Sequence, residues 1–257
     1  MPAWTIEGSR EFLVSSLCFA LHTTLALAAL QDLSIPIYNV LRRMLPLTSL
    51  LMAVFILGQH PSRNIVASVI LMAAGTLVTG VSDLRFTFLG YSEAIASVVA
   101  QSVYLTYVQK RGLEKGSSAL YVTYMNSVNC IPILFVYTLF SGHLQASFSF
   151  TGFTSGKFVV VFLGNTLLGC VFNYTLFLCT SMTSALTTSI VGVIKGVLTT
   201  TIGFFTFGGV PLTVFTVCGV VLNAVGGAVY VMVKYVEKMK SREALLPSTV
   251  SDGKATI

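Results

Sequence analysis

Three basic residues stand where the chain is otherwise apolar: Arg42 and Arg43 within Ile35–Leu57, and Lys195 within Ala185–Phe207. A charge at the centre of a bilayer costs about 3 kcal/mol on insertion scales, so the three together oppose insertion by on the order of 9 kcal/mol. Within the apolar runs the only acid is Glu93, one turn from the start of its run. The surplus is cationic. Guanidinium forks match the paired oxygens of a phosphate, so a protein-lined cation cluster inside a membrane predicts an anionic passenger. Two readings compete for the arginines, which lie about a third of the way along their run: contact with a substrate, or snorkelling to the interface. One of two adjacent residues must also leave a shared helix face. Lys195 is the eleventh residue of its run, a depth from which it reaches an interface poorly.

The run around Lys195 is rich in hydroxyls and glycine: Thr183, Ser184, Thr187, Thr188, Ser189 and Gly192. Thr188, Gly192 and Lys195 fall at i, i+4 and i+7, one helix face. Such a face permits close approach of a sugar or phosphate to the backbone, or equally of a neighbouring helix. A second polar set is Tyr121, Tyr124, Asn126, Ser127 and Asn129. A stacked tyrosine beside amide donors and acceptors suits reading a base, although buried asparagines also join helices. Asn165 and Asn173 carry the same ambiguity, and the lone His22 reads as a packed residue. Cys18, Cys130, Cys170, Cys179 and Cys218 all lie in apolar segments with no metal-ligand spacing. No catalytic residues, metal or cofactor are expected.

The elements that must hold these residues follow from composition. Of 257 residues, 54% are hydrophobic and 9% charged, against about 25% charged in soluble domains. A spanning helix needs about 20 apolar residues, and eight such runs are present: 12–30, 35–57, 65–81, 90–108, 119–140, 158–179, 185–207 and 212–233. The fold class is therefore an all-α polytopic membrane protein with eight transmembrane helices. With the N-terminus inside, ten basic residues fall on the inner side and only Arg85 and Lys157 opposite, so both termini are expected to be cytosolic. Most of the net charge of +6 is thus topological, and no nucleic acid partner is implied.

Val69–Val78 echoes Val220–Val229 with Gly75 opposite Gly226, a shift of 151, and Ser34 matches Ser184 at 150. Three helices lie in each echoing block, and the blocks are five helices apart. An odd offset inverts the second copy, the pattern of an inverted-repeat transporter with a midplane site between repeats. The expected organisation is a cytosolic N-terminus over 1–11, a partial first repeat of three helices over 12–89, a second repeat of five over 90–233, and a cytosolic basic tail over 234–257. Two helices of the first repeat have no counterpart in the chain.

Leu33-Ser-Ile-Pro-Ile-Tyr-Asn-Val-Leu-Arg-Arg43, Ser82-Asp83-Leu84 with Gly90-Tyr91, and Ser184-Ala-Leu-Thr-Thr-Ser-Ile-Val-Gly-Val-Ile-Lys195 resemble the nucleotide-sugar transporters. More narrowly, they resemble the D-type branch of solute carrier family 35, in the drug/metabolite transporter superfamily. The resemblance covers about residues 12–240 and implies a ten-helix fold of which the first two helices are missing here. It also implies a Golgi or endoplasmic reticulum antiporter, with an endosomal membrane as the alternative, exchanging cytosolic nucleotide sugar for lumenal nucleoside monophosphate. Thr123-Tyr124-Met125-Asn126 retains the tyrosine of the family's base-contacting Phe-Tyr-Asn pattern, with the asparagine one place later. Gly192-Val193-Ile194-Lys195-Gly196 resembles the sugar- and phosphate-contacting pattern in a form nearer the UDP-sugar branch. Taken together with the cation and helix-face readings above, the expected substrate residues are Tyr124, Asn126, Ser127, Thr188, Gly192, Lys195, Arg42 and Arg43. A homodimer is one open assembly. The alternatives to transport of a UDP-sugar are a non-transporting trafficking or regulatory protein that keeps the fold, and transport of another anionic solute.

Overall fold

The computed structural model describes residues 5–33, 35–80, 87–115, 118–207 and 213–245, and these are helical almost throughout. Helix α1 spans Ile6–Asp32, α2 Ile35–Arg42, α3 Leu45–Leu57, α4 Arg63–Gly80 and α5 Phe88–Lys115. Helix α6 spans Ala119–Phe140, α7 His143–Phe148, α8 Gly156–Met182, α9 Ala185–Phe207 and α10 Val214–Leu245, with a 3-10 turn at Thr151–Thr154. Ser34, Ser82-Asp83-Leu84, Arg85 and the tail after Leu245 lie outside the described residues.

Two boundaries, those of α6 and α9, coincide with the runs read from sequence. Others extend beyond the apolar run into charged residues. Helix α1 starts at Ile6, with the Thr5 hydroxyl accepting from Gly8 N at 3.2 Å as an N-cap. Helix α10 carries the first part of the expected basic tail as helix to Leu245. The apolar count marks the bilayer-facing stretch, whereas helix propensity carries the backbone past it.

One expected span is interrupted. The run 35–57 breaks into α2 and α3 around Arg43 and Met44, whose amides donate to the carbonyls of Val40 and Leu41, three residues back, at 3.0 Å each. Pro46, within the first turn of α3, supplies the reason: it has no N–H to give Arg42, and its ring crowds that carbonyl. At the other end, Gly58 takes φ +62° to close α3, a left-handed cap in which a side chain would be strained.

Among the described residues, five helical segments are long and apolar enough to cross a membrane: Ile6–Asp32, Ile37–Leu57, Ala119–Phe140, Gly156–Met182 and Val217–Glu237. Arg63–Thr79 and Ala185–Gly196 are shorter apolar helices. Helix α5 is not among them; it carries Ser97, Gln101, Ser102, Thr106 and Gln109, all of them buried. These polar side chains face the bundle, where protein partners replace water.

The tightest crossing is that of α4 on α10. A Cβ on Gly75 would lie 2.7 Å from Gly219 O and 2.8 Å from Asn223 N, and one on Gly226 would lie 3.0 Å from Met72 N and 3.1 Å from Ser68 O. Successive positions on α4 thus meet descending positions on α10, so the two run antiparallel. The contacts are reciprocal at the sequence offset: Gly75 answers to Gly226, Met72 to Asn223 and Ser68 to Gly219. At the centre, the Asn223 amide donates to Met72 O at 3.0 Å and to Thr76 Oγ1 at 3.1 Å.

Helices α1 and α8 share a length of 27 residues, with both ends 150 positions apart, yet their surroundings differ. Helix α1 packs along α5 and α6 and buries Phe12, Ser15, Ser16, Ala20 and Ala29. Helix α8 buries only Phe177 and Thr180. His22 joins α1 to α5, its Nδ1 lying 2.9 Å from Ser97 Oγ. Asn129 joins α6 to α1, donating to Ser9 O at 2.9 Å and accepting from Ser9 Oγ at 2.5 Å.

Gln109, placed by sequence at the edge of an inner loop, is buried and does structural service. Its Oε1 accepts from Ala185 N at 2.7 Å, satisfying one of the open amides at the start of α9. Gln109→Leu should leave that amide unpaired and cost about 1–3 kcal/mol. Thermal unfolding of the detergent-solubilised protein will show this as a lowered Tm, and an unchanged Tm would refute it.

Candidate functional site

A cavity of about 260 Å³ opens among α2, α3, α5, α8 and α9. Its wall includes Asn39, Arg42 and Arg43 from the broken span, Gln101 from α5, Phe172 from α8, and Thr188, Ser189, Gly192 and Lys195 from α9. All three cations from the apolar runs therefore meet at one place. None of the described residues lining it is acidic.

The break in the helix explains how both arginines reach the cavity. In a continuous helix adjacent side chains diverge by about 100°. Here the chain turns at Arg43–Met44, and both residues line the same cavity. Arg42 is half-buried, its Cζ 5.8 Å from the Tyr38 ring centroid and its Nη2 donating to Gln101 Oε1 at 3.4 Å. Arg43 is 2% exposed, the bulkiest of the fully buried side chains. Burial to that degree does not fit snorkelling to an interface. Lys195 places its Nζ 4.2 Å from the Phe172 ring centroid.

The hydroxyls of α9 play a double part. Ser184 caps the helix by accepting from Thr187 N at 3.1 Å. Thr188 lines the cavity, but its Oγ1 already donates to Ser184 O at 3.1 Å and accepts from Thr180 Oγ1 at 3.0 Å. Ser189 Oγ lies 2.6 Å from Ser49 Oγ, tying α9 to α3. Gly192 leaves its part of the wall open: a Cβ there would meet nothing within 4 Å.

Five of the eight residues singled out in the sequence thus surround one cavity: Arg42, Arg43, Thr188, Gly192 and Lys195. Tyr124, Asn126 and Ser127 are on α6, which contributes nothing to this wall. Tyr124 and Ser127 are exposed, and Asn126 is buried within the bundle. Asn39, Gln101 and Phe172 were not anticipated. For Asn39 a signal existed, because it stands 150 positions before Ser189. The same offset relates Arg42 to Gly192 and Leu45 to Lys195, and all six positions line the cavity. Gln101 and Phe172 offer no comparable signal, since only the packing of α5 and α8 turns them inward.

The described residues are thus almost wholly helical, with several candidate membrane spans and a cation-lined cavity between them. Residues 2–231 match the model of the Triose-phosphate Transporter family, and the chain belongs to that family. Its members are transporters, not enzymes. The chain is 36% identical over 242 residues to the UDP-galactose/UDP-glucose transporter 7 of Arabidopsis thaliana, covering 93% of this chain and 75% of that one. It is 29% identical to the UDP-N-acetylglucosamine transporter UGNT1 of the same plant, covering 86% and 64%. It is also 29% identical to the UDP-sugar transporter UST74c of Drosophila melanogaster, covering 91% and 63%. The chain thus spans three quarters of the first relative and under two thirds of the other two. A protein of solved crystal structure superimposes with a TM-score of 0.59 at 17% identity, covering 86% of this chain and 89% of the other, which shows a shared fold.

Proposed function

We propose that the chain carries a nucleotide sugar of the UDP class across a Golgi or endoplasmic reticulum membrane, in exchange for a nucleoside monophosphate. The observation that carries this reading is the convergence of Arg42, Arg43 and Lys195 on one cavity with no acid in its described wall. The relatives named for UDP-sugar transport narrow the class of anion. The diphosphate lies between the guanidinium groups of the broken span and the Lys195 ammonium, and the open wall at Gly192 admits the sugar against backbone. No bond is made or broken.

Transport follows from alternating access. The eight-span arrangement is a partial first repeat over 12–89 and an inverted second repeat over 90–233, with both termini cytosolic. The reciprocal α4–α10 contacts and the three cavity pairs at an offset of 150 support this division. A cavity of about 260 Å³ falls below the ~300–1,000 Å³ usual for ligand pockets. Loading a whole nucleotide sugar therefore requires the halves to part, as rocking about a central site provides.

Ligand-dependent stability tests the class of passenger. UDP and UMP should raise the Tm of the solubilised protein, while free glucose and uridine at the same concentration should not, because a ligand that binds only the folded state stabilises it by RT ln(1 + [L]/Kd). Equal shifts with uridine and UMP would show that the cations do not select the anion and would defeat the reading.

A further inference from the structure

The connection between α6 and α8 carries Phe148, Phe150 and Phe153, and the first turns of α8 add Phe158 and Phe162. These rings collect on one another rather than in the bundle. Phe153 meets Phe150, Phe158 and Phe162 edge to face at centroid distances of 5.7, 5.5 and 5.7 Å. Phe150 approaches Phe158 to 5.2 Å, and Phe158 stacks on Phe162 at 6.0 Å along the side of α8. The cluster is nonetheless open. Phe148 is 86% exposed, and Phe150, Phe153 and Phe162 are 51%, 50% and 46% exposed.

Two observations say what covers these rings. The first is continuity. Gly156–Met182 is a candidate membrane span, and its residues beside the cluster, Val160, Val161 and Leu163, are exposed as well. The rings therefore extend the exposed apolar surface of the span past its start. The second is the chemistry of the segment. Residues 141–157 contain no acid, and Lys157 is their only lysine or arginine. Hydroxyls turn onto the local backbone: Ser147 Oγ donates to His143 O at 2.8 Å, and Thr154 Oγ1 to Thr151 O at 2.6 Å. The turns close in the same way, with Phe150 N donating to Ser147 O at 3.3 Å and Ser155 N to Gly152 O at 3.0 Å. Backbone that meets its own hydrogen bonds can leave bulk water at little cost.

We propose that residues 147–158 form an interfacial anchor, seated among lipid headgroups with the rings of Phe148, Phe150 and Phe153 at the acyl boundary. Apolar rings on a short segment with few charges suit that layer. Helix α8 has little else to fix its depth, since its buried residues, Phe177 and Thr180, lie near its other end. The depth and tilt of a span are set by packing against neighbours and by anchors at the interface. The anchor thus holds the near end of the helix that carries Phe172 into the cavity wall. This seat depends on the spans alone, whatever the passenger.

Phe150→Trp and Phe153→Trp test it, each in the full chain with Trp4→Phe, so that a single tryptophan reports. The proteins go into bilayers whose lipids carry bromine either just below the headgroups or near the chain ends. Both reporters should be quenched more by the shallow bromines. Acrylamide should quench them roughly threefold less than free tryptophan, as for a ring about 5–10 Å into the headgroup–acyl boundary. Tryptophan itself favours interfaces, so Phe150→Trp is repeated with Phe148→Ser and Phe153→Ser. Loss of the neighbouring rings should at least double the acrylamide quenching, and unchanged quenching would show that the cluster does not seat the segment. Full quenching by acrylamide with no bromine effect would place the rings in water. Protection from both quenchers would place them under protein, such as a second copy of the chain. Either result overturns the proposal. In the unsubstituted chain, a lipid with a photoactivatable group near its headgroup should label 147–158 more heavily than one with the group at its chain end. The reverse order, or no label there, would also overturn it.

Discussion

Replacing Lys195 with alanine is expected to lower UDP-sugar transport by about two orders of magnitude while leaving the protein folded. The ammonium lines a cavity shared with Arg42 and Arg43. Removing one partner of a charge pair that becomes buried when the anion binds typically costs about 2–5 kcal/mol, which spans roughly thirtyfold to several thousandfold at 1.4 kcal/mol per decade. The lower half of that range applies here because two guanidinium groups remain to hold the diphosphate. Folding should not suffer, since the substitution removes a charge that opposes insertion. Lys195→Arg should retain part of the activity: it keeps the charge, but its longer planar head displaces the donors. Uptake by reconstituted protein, normalised to the amount correctly inserted, measures the effect. Transport by Lys195→Ala within threefold of the parent would remove the lysine from the site.

The second large effect concerns assembly rather than the passenger. Gly219→Ala should destabilise the protein by about 1–3 kcal/mol, the usual cost of overpacking a filled interface. The added methyl would fall 2.6 Å from Gly75 O and 2.7 Å from Thr79 N, both backbone atoms that cannot rotate away. Relief would require α4 and α10 to separate, and separation would stretch the bonds from Asn223 to Met72 and Thr76. Gly164→Ala on α8 is the matched control, because its Cβ would meet nothing within 4 Å. There the change should be neutral or stabilising by up to about 1 kcal/mol, the difference in helix propensity between the two residues. Thermal unfolding with size-exclusion profiles distinguishes the two. Equal Tm values for both variants would show that the glycine crossing is not a structural constraint.

These contrasts show what was readable from the chain and what required the fold. Apolar runs located the helices, and those at 119–140 and 185–207 needed no adjustment. The run at 35–57 broke because one residue, Pro46, overrides hydropathy locally. Hydropathy counts side chains, whereas the break is a matter of a missing backbone donor. The polar content of α5 was legible as composition, but its meaning was not: Gln101 and Gln109 gain their roles from what α2 and α9 bring opposite them.

The cations of the site were legible for an energetic reason, since a charge in an apolar run needs an explanation wherever it points. Phe172 was not, because a phenylalanine in a membrane helix is ordinary and only the neighbouring ammonium makes it informative. The offset of 150–151 proved the most economical signal. It links the α4–α10 crossing with three pairs of cavity positions, and it would have nominated Asn39 from Ser189. Tyr124, Asn126 and Ser127 were chosen by residue type and by resemblance, and neither consideration reports which way α6 faces.

The central claim is that this cavity exchanges one nucleotide-bearing anion for another. Liposomes containing the purified chain, half of them loaded with UMP and half with buffer alone, put it to the most direct test. The account predicts rapid uptake of labelled UDP-sugar into the UMP-loaded vesicles, slow uptake into the empty ones, and release of UMP matching the sugar taken up. Equal uptake into loaded and empty vesicles, or none into either, would contradict it.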